Sequence, residues 1–545
     1  MLLVILFLES EAAMSNPNNL SADVVVIGSG PAGAALTWKL ASAGVDVLCL
    51  ERGDWFDYAS VDRDAPDYDL RRRGELNANP NLRHGPTDDP IDDVDSPIKP
   101  LIGNAVGGGS VWWSSHVPRF RPDDFDVQTR DGVAADWPLG HADLYPHYCE
   151  NERMLHAAFV AGDPTGPSRV GNGEALPPIG VQGRKMAAAF SRLGWHWWPV
   201  DLVNGPNSKT EVCDHVGPCD LGCPARKRQS ADRIYISAAV AAGGRLATGV
   251  RVQRLDHDAR GSVIAARAIG PDGPLTIRAR TFAVAANGLG TPRLMLLSAS
   301  DRFPQGLGNG SGLLGKGLML HPYGRVDGRF KEPLGFYAPG ETAGIISFEF
   351  QPTQPERGFL RGAKLQVAPG PGPFALANGA PTGQRLPWGA DHHAAMEARF
   401  DRWCGVTVCA EDLPEDENRV VLSDRITDRD GQPALKMIYR VSDNSRRILD
   451  HGIARATDVL REAGAVETYV TPLRDQAGFH LMGTARMGAD PGRSVVDPYG
   501  RCHDVSNLFI ADSSVFVTSS VCNPTATAQA LALRSAGAIV ADLGA

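Results

Sequence analysis

DVVVIGSGPAG (residues 23–33) runs into AALTWKLASAG (34–44) and then VDVLCLERG (45–53). The apolar run Val24–Ile27 reads as a strand, and Gly28-Ser29-Gly30-Pro31-Ala32-Gly33 as a tight turn opening a helix over 32–43. A second strand ends at Glu51, 23 residues after Gly28. Each glycine has a physical task. Gly28 permits the turn, Gly30 lets the backbone approach a pyrophosphate, and Gly33 lets the helix pack close to the strand. The helix N-terminus offers unpaired N–H groups and the positive end of its dipole to phosphate. Glu51 is placed to accept the ribose hydroxyls of an adenosine. The pattern marks a dinucleotide site. By itself it does not separate FAD from NAD, but its position ahead of most of the chain favours FAD.

At 545 residues the chain is too long for one core, so two domains are expected. Its 54 basic and 63 acidic residues give a net charge of −9. No basic stretch is interleaved with aromatics, which argues against a nucleic-acid partner. MLLVILFL (1–8) has no preceding Lys or Arg, is followed by Glu9 and Glu11, and is too short to span a bilayer. Met14 is read as the functional start, or Met1–Ala13 as a disordered leader, with residues 1–21 flexible. No other run is long and apolar enough to span, and a cytoplasmic location is expected.

Asp54–Pro100 is an irregular excursion rich in Asp, Arg, Asn and Pro. Gly107-Gly108-Gly109-Ser110 then brings backbone close to something flat or phosphorylated. Residues 243–255, 263–269 and 275–285 alternate as a strand meander. Thr291-Pro292-Arg293 is read as a helix start with Pro near its first position. Residues 335–470 carry strand-like runs and one clear helix at 445–463. The C-terminal part returns to a strand ending at Asp512 and an Ala-rich helix over 525–542.

Five stretches together resemble the glucose–methanol–choline (GMC) flavin oxidoreductases: residues 24–53, VGGGSVWW (106–113), FAVAANGLGTPRLMLLS (282–298), HLMGTARMG (480–488) and residues 507–534. The resemblance implies an α/β fold. A doubly wound, Rossmann-like FAD-binding domain, discontinuous in sequence (22–60, 101–125, 205–334, 471–545), would be joined to an α+β substrate domain on a mixed sheet (126–204, 335–470). It further implies an adenine contact near Val252, flavin contacts from Gly107, Gly108 and Ser110, and Ala511 and Asp512 at the ribityl chain. Some members attach FAD through a His two residues after the loop Ser. Here that position is Trp112, whose indole offers no such nucleophile, so non-covalent FAD is implied. His116 further along is read as an ordinary loop histidine.

The chemistry of such an enzyme is oxidation of CH–OH to C=O, with the hydroxyl proton going to a base and a hydride to flavin N5. His480 matches the family's base position, and a neutral imidazole suits that role. Asn523 matches the second catalytic position, although an Asn before Pro524 also reads as a helix cap. Cys213, Cys219 and Cys223 have three readings: an iron–sulfur cluster as in membrane-linked bacterial glucose dehydrogenases of this family, a zinc site with His215, or a loop without metal. The last is the expectation. The function expected is FAD-dependent dehydrogenation of a sugar, amino sugar or other alcohol, with a quinone-like acceptor, dye or O₂ taking the electrons. The acidic balance suits a polycation such as an aminoglycoside. The rivals are an O₂-using oxidase that makes hydrogen peroxide and a non-catalytic flavoprotein.

Overall fold

Val24, Val25 and Val26 have no exposed surface, and Val47–Leu50 is buried on both faces, as expected of central parallel strands. The computed structural model describes residues 19–62, 65, 67–169, 173, 176, 178–203, 223, 228–335 and 344–544. Strand Asn19–Ile27 lies between Val47–Leu50 and Gly273–Val284, parallel to both. Arg245–Ala247 and Leu508–Ile510 extend the parallel set on its two sides. The meander Arg251–His257, Val263–Gly270 and Gly273–Val284 is antiparallel and completes a seven-stranded sheet. The first strand begins inside the stretch expected to be a leader, because Asn19–Ser21 pair with Thr276–Arg278. Cys213, Cys219 and Met1–Leu8 lie outside the described residues.

Helix Pro31–Ser42 packs against the C-terminal helix Thr525–Leu543, whose many alanines permit close approach. Helix His141–Leu155 packs on the same C-terminal helix. Its buried stripe includes Tyr148, hydrogen-bonded to Thr527 at 2.7 Å, and Asn151, which donates to Gln529 at 3.1 Å. Helix Gly180–Arg192 packs elsewhere, on helix Asp443–Glu462 of the second layer. The stretch 126–204 is thus divided between the two layers.

Helix Asn287–Leu297 starts four residues before the expected Thr291, so Pro292 falls inside it. Pro292 has no N–H for the carbonyl of Gly288, and that carbonyl instead accepts from Thr484 Oγ1 at 2.7 Å. The lost helix bond is replaced by one that ties the helix to the segment carrying His480.

The second layer is a six-stranded sheet: Glu467–Thr471, Tyr323–Arg329, Trp403–Ala410, Ala363–Pro369, Ile345–Phe350 and Trp198–Pro199. Its pairings are antiparallel throughout. Ile91–Asp92 pairs in parallel with Pro433–Ile438 in a separate three-stranded sheet. Side chains alternate across the large sheet. Val326, Val406, Val408, Leu365 and Val367 pack in one core with Ile448, Leu449, Ala456, Val459 and Leu460 of helix Asp443–Glu462. Tyr323, Arg325, Thr407 and Gln366 take the opposite face and line a cavity.

Gly452 of that helix touches the sheet, and a Cβ there would lie 2.4 Å from Val408 Cγ1. Alanine would gain about 1 kcal/mol of helix propensity. Overpacking against a fully buried, β-branched side chain costs roughly 1–3 kcal/mol. Gly452→Ala is therefore expected to lower the urea midpoint of unfolding; an unchanged or raised midpoint would show that the helix can move off the sheet.

Candidate active site

A cavity of about 720 Å³ runs from the first glycine turn to His480 and Asn523. At its glycine end the backbone is packed as tightly as it can be. Gly28 has φ +105°, and a Cβ there would sit 2.4 Å from the Ala285 carbonyl oxygen. A Cβ at Gly33 would meet Gly28 O at 2.1 Å, and one at Gly108 would meet Gly30 Cα at 2.8 Å. Gly30 differs: a Cβ there has no protein atom within 4 Å, so that position opens into the cavity. No side chain caps the helix that starts at Pro31, which leaves its N-terminal dipole for an anion.

Glu51 Oε2 accepts from Ser29 N at 3.0 Å and Ser29 Oγ at 2.7 Å, and its Oε1 accepts from Gly53 N at 2.8 Å. The carboxylate thus braces the turn while forming part of the cavity wall. Ser110 Oγ donates to Gly107 O at 2.7 Å and accepts from Ala231 N at 2.9 Å, so it also holds its own loop in place. Asp512 accepts from Asn287 N, Thr291 Oγ1 and Ser514 N, and burial raises its pKa. Val252 lines the same wall. Gly33, Gly107 and Ala511 do not reach the wall; they are packing positions behind it. Trp112 lines the cavity and donates through Nε1 to Leu76 O at 3.3 Å. A long cavity with an open glycine, an uncapped helix start and an acid beside the turn fits a dinucleotide of the size of FAD.

The far end holds the titratable groups. His480 is 7% exposed and Asn523 9%. Asn523 does not cap the helix that follows it. Its Oδ1 accepts from Lys364 Nζ at 2.7 Å, and its Nδ2 faces His480 Nε2 at 3.4 Å. His480 Nδ1 lies 2.7 Å from His321 Nδ1, and His321 Nε2 lies 2.7 Å from the Ser520 carbonyl oxygen. A carbonyl only accepts, so His321 Nε2 carries a hydrogen. With His321 neutral, its Nδ1 accepts, His480 Nδ1–H donates, and His480 Nε2 is left with a lone pair that faces the Asn523 amide Nδ2. The His321 pKa is raised: burial and Lys364 oppose its charge, but Cys409 and the Ser520 carbonyl favour it more, and the Cys409 push acts only when its sulfur is a thiolate. The Cys409 thiol already donates to Val521 O at 3.7 Å, and the neutral pair satisfies both carbonyls.

Burial holds the His480 pKa well below its usual value, and His321, Lys364 and His116 push in the same direction. His116 lines the same cavity, and its pKa is lowered to about 3 by burial and by Lys364. The loop histidine of the sequence reading therefore stands at the site. Lys364 and His321 escape sequence reasoning. Lys364 is one polar letter in the alternating strand Ala363–Pro369, where the polar face reads as solvent-exposed, and His321 has no partner at a telling spacing.

Among the described residues no helix is long and apolar enough to cross a membrane. The GMC oxidoreductase family matches residues 22–323 and 414–532. The chain is 35% identical to 2-methyl-1,2-propanediol dehydrogenase of Mycolicibacterium austroafricanum over 94% of each protein. It is 32% identical to 6'''-hydroxyparomomycin C oxidase of Streptomyces lividus, over 96% of this chain and 92% of that protein. The fold is shared with pyridoxine 4-oxidase from Mesorbium loti at 17% identity, with a TM-score of 0.60 over 95% of this chain and 99% of that one. Relatives of this kind are oxidoreductases of alcohols and aminoglycosides, and the family implies FAD. The five motifs, the two layers and the cavity that joins them belong to one enzyme type: this chain is a member of the GMC oxidoreductase family.

Proposed function

We propose that the chain is an FAD-dependent dehydrogenase that oxidises a CH–OH group of a sugar, amino sugar or other alcohol to a carbonyl, with His480 as base and FAD held without a covalent bond. The observation that carries this reading is the His480 Nε2 lone pair beside Asn523, in the same cavity as the glycine turn. When bound, FAD supplies the hydride acceptor. His480 Nε2 takes the hydroxyl proton, and its Nδ1–H to His321 keeps the ring in the tautomer that can do so. Asn523 orients the substrate oxygen through its amide, which Lys364 holds in place. The Lys364 ammonium, one hydrogen bond behind the Asn523 amide, would favour the negative charge that the oxygen gains as its proton leaves. Gly30, Gly108, Val252 and Asp512 would line the FAD, and Glu51 would meet its ribose.

The direct test is anaerobic bleaching of the bound flavin by a panel of polyols, sugars, amino sugars and long-chain alcohols. A panel without effect overturns the reading. Reoxidation by a quinone or phenazine dye faster than by O₂ would favour a dehydrogenase over an oxidase. His480→Ala should keep its flavin and lose about 10²–10⁴-fold in alcohol-dependent flavin reduction, with a smaller loss for Asn523→Ala. Wild-type reduction rates in His480→Ala would remove the base assignment.

Trp112 occupies the position of the flavin-linking histidine in the family members that have one. FAD should therefore appear in the supernatant after acid precipitation. A yellow pellet would reveal a covalent bond.

Because the His480 pKa is lowered, the ring stays neutral well below pH 6.5 and gains its proton only in more acid solution. The rate of flavin reduction measured by stopped flow should be flat from pH 8 to 6.5, with its acid limb below that range. A limb centred at or above pH 6.5 would place the controlling proton on His321.

A further inference from the structure

The cavity face of the second sheet carries an ordered row of polar side chains. Tyr323, Cys409 and Lys364 are paired in register across three strands and form the row nearest Asn523. Two residues along each strand, Arg325, Thr407 and Gln366 form the next row. Strand geometry sets the second row about 7 Å from the first and gives it a width of about 10 Å. Arg325, Thr407 and Gln366 all line the cavity.

Part of the hydrogen-bonding capacity of this second row is unspent. Arg325 Nε and Nη2 donate to Asp327, and Nη2 also donates to Pro369 O, which fixes the guanidinium plane. Its Nη1, with two hydrogens, bonds to no described residue. Neither the Thr407 hydroxyl nor the Gln366 amide has a hydrogen-bond partner among the described residues. Gly405 keeps the space for Arg325, since a Cβ there would lie 2.2 Å from Nη2. Both Asp327 oxygens face Arg325, and no other carboxylate stands in the row.

We infer that Arg325, Thr407 and Gln366 form a specificity subsite for an oxygen-bearing group of the substrate, a hydroxyl or carboxylate held about 7 Å along the sheet from the row nearest Asn523. An ammonium group would meet the Arg325 charge without a free counter-charge. The net charge of −9 does not bear on this, because it is spread over the whole surface. The inference rests on the alcohol-oxidation reading and names the substrate class for that same site.

The test uses four six-carbon alcohols that differ only at the far end: 1-hexanol, 1,6-hexanediol, 6-hydroxyhexanoate and 6-amino-1-hexanol. Each is mixed anaerobically with holoenzyme, and the second-order rate of flavin bleaching is measured. The diol or the hydroxy acid should react at least about 10-fold faster than 1-hexanol and 6-amino-1-hexanol, and the faster of the two tells hydroxyl from carboxylate. Thr407→Val and Gln366→Leu keep the shape of their side chains, and each should cut that advantage roughly five-fold, the worth of one hydrogen bond. Their flavin content, compared with wild type, confirms that they fold. Preference for the amino alcohol, or an advantage that survives both substitutions, overturns the subsite while leaving alcohol oxidation standing. Flavin that no alcohol of this series or of the wider panel bleaches overturns the oxidation reading itself, and the subsite with it.

Discussion

Beneath the loop that carries Ser520 and Asn523 lies the guanidinium of Arg361, its side chain 2% exposed, with three carboxyl groups around it. Its Nη2 meets Asp124 at 2.5 Å, Nε meets Glu411 at 2.9 Å, and Nη1 meets Asp131 at 3.3 Å. Asp124 also accepts from Ser520 Oγ at 2.7 Å and Gln351 Nε2 at 2.9 Å. Arg361 and Glu411 flank the cavity sheet, while Asp124 and Ser520 belong to the segments crossing between layers. One buried cation therefore sets the separation of the layers at the place where the site needs it fixed. Such a cluster adds little net stability, because desolvation offsets much of the Coulomb gain. What it supplies is position, since a shifted loop would leave a buried charge without its partner. Burial, with Asp124 nearby, raises the Glu411 pKa to about 7, as expected where three acids share one cation.

From that anchor the catalytic geometry follows in short steps. Ser520 is held through its hydroxyl, and its carbonyl fixes the hydrogen on His321 Nε2. His321 then fixes the tautomer of His480. On the other side Lys364, from the sheet, fixes which way the Asn523 amide points. The imidazole proposed as base and the amide proposed to orient the substrate oxygen are thus each set by a residue from elsewhere in the chain. The rings of Phe479 and His321 stand nearly perpendicular to His480 at centroid distances of 4.7 and 4.8 Å and restrict its rotation.

What could be read from the sequence were the parts with a fixed local spacing. Gly28, Gly30, Gly33 and Glu51 lie within one strand–turn–helix–strand unit, and their meaning comes from that unit alone. His480 and Asn523 could be read only through the family's motifs, since a single His or Asn has no spacing. Lys364, His321, Arg361 and the Arg325–Thr407–Gln366 row were invisible. Each depends on which face of a strand looks inward and on register between strands far apart in sequence, as Thr407 opposite both Arg325 and Gln366 shows. Pro292 misled because a proline marks a helix start only when no other group can use the carbonyl it leaves free.

Lys364 is the least economical feature of the site, and so the most telling. It is 1% exposed, and the one hydrogen bond described for its ammonium is to a neutral amide. An ammonium buried without a carboxylate is costly, and a fold built only for stability would replace it with an apolar side chain. Its field lowers the pKa of both His480 and His116, so it favours neutral imidazoles around the cavity. That is the protonation state a base requires before it meets an alcohol. On the proposed mechanism the same field would favour the oxygen that has just lost its proton. On that mechanism, one fixed charge would keep the base neutral before the reaction and favour the oxygen during it, with Asn523 as the contact through which that charge is held.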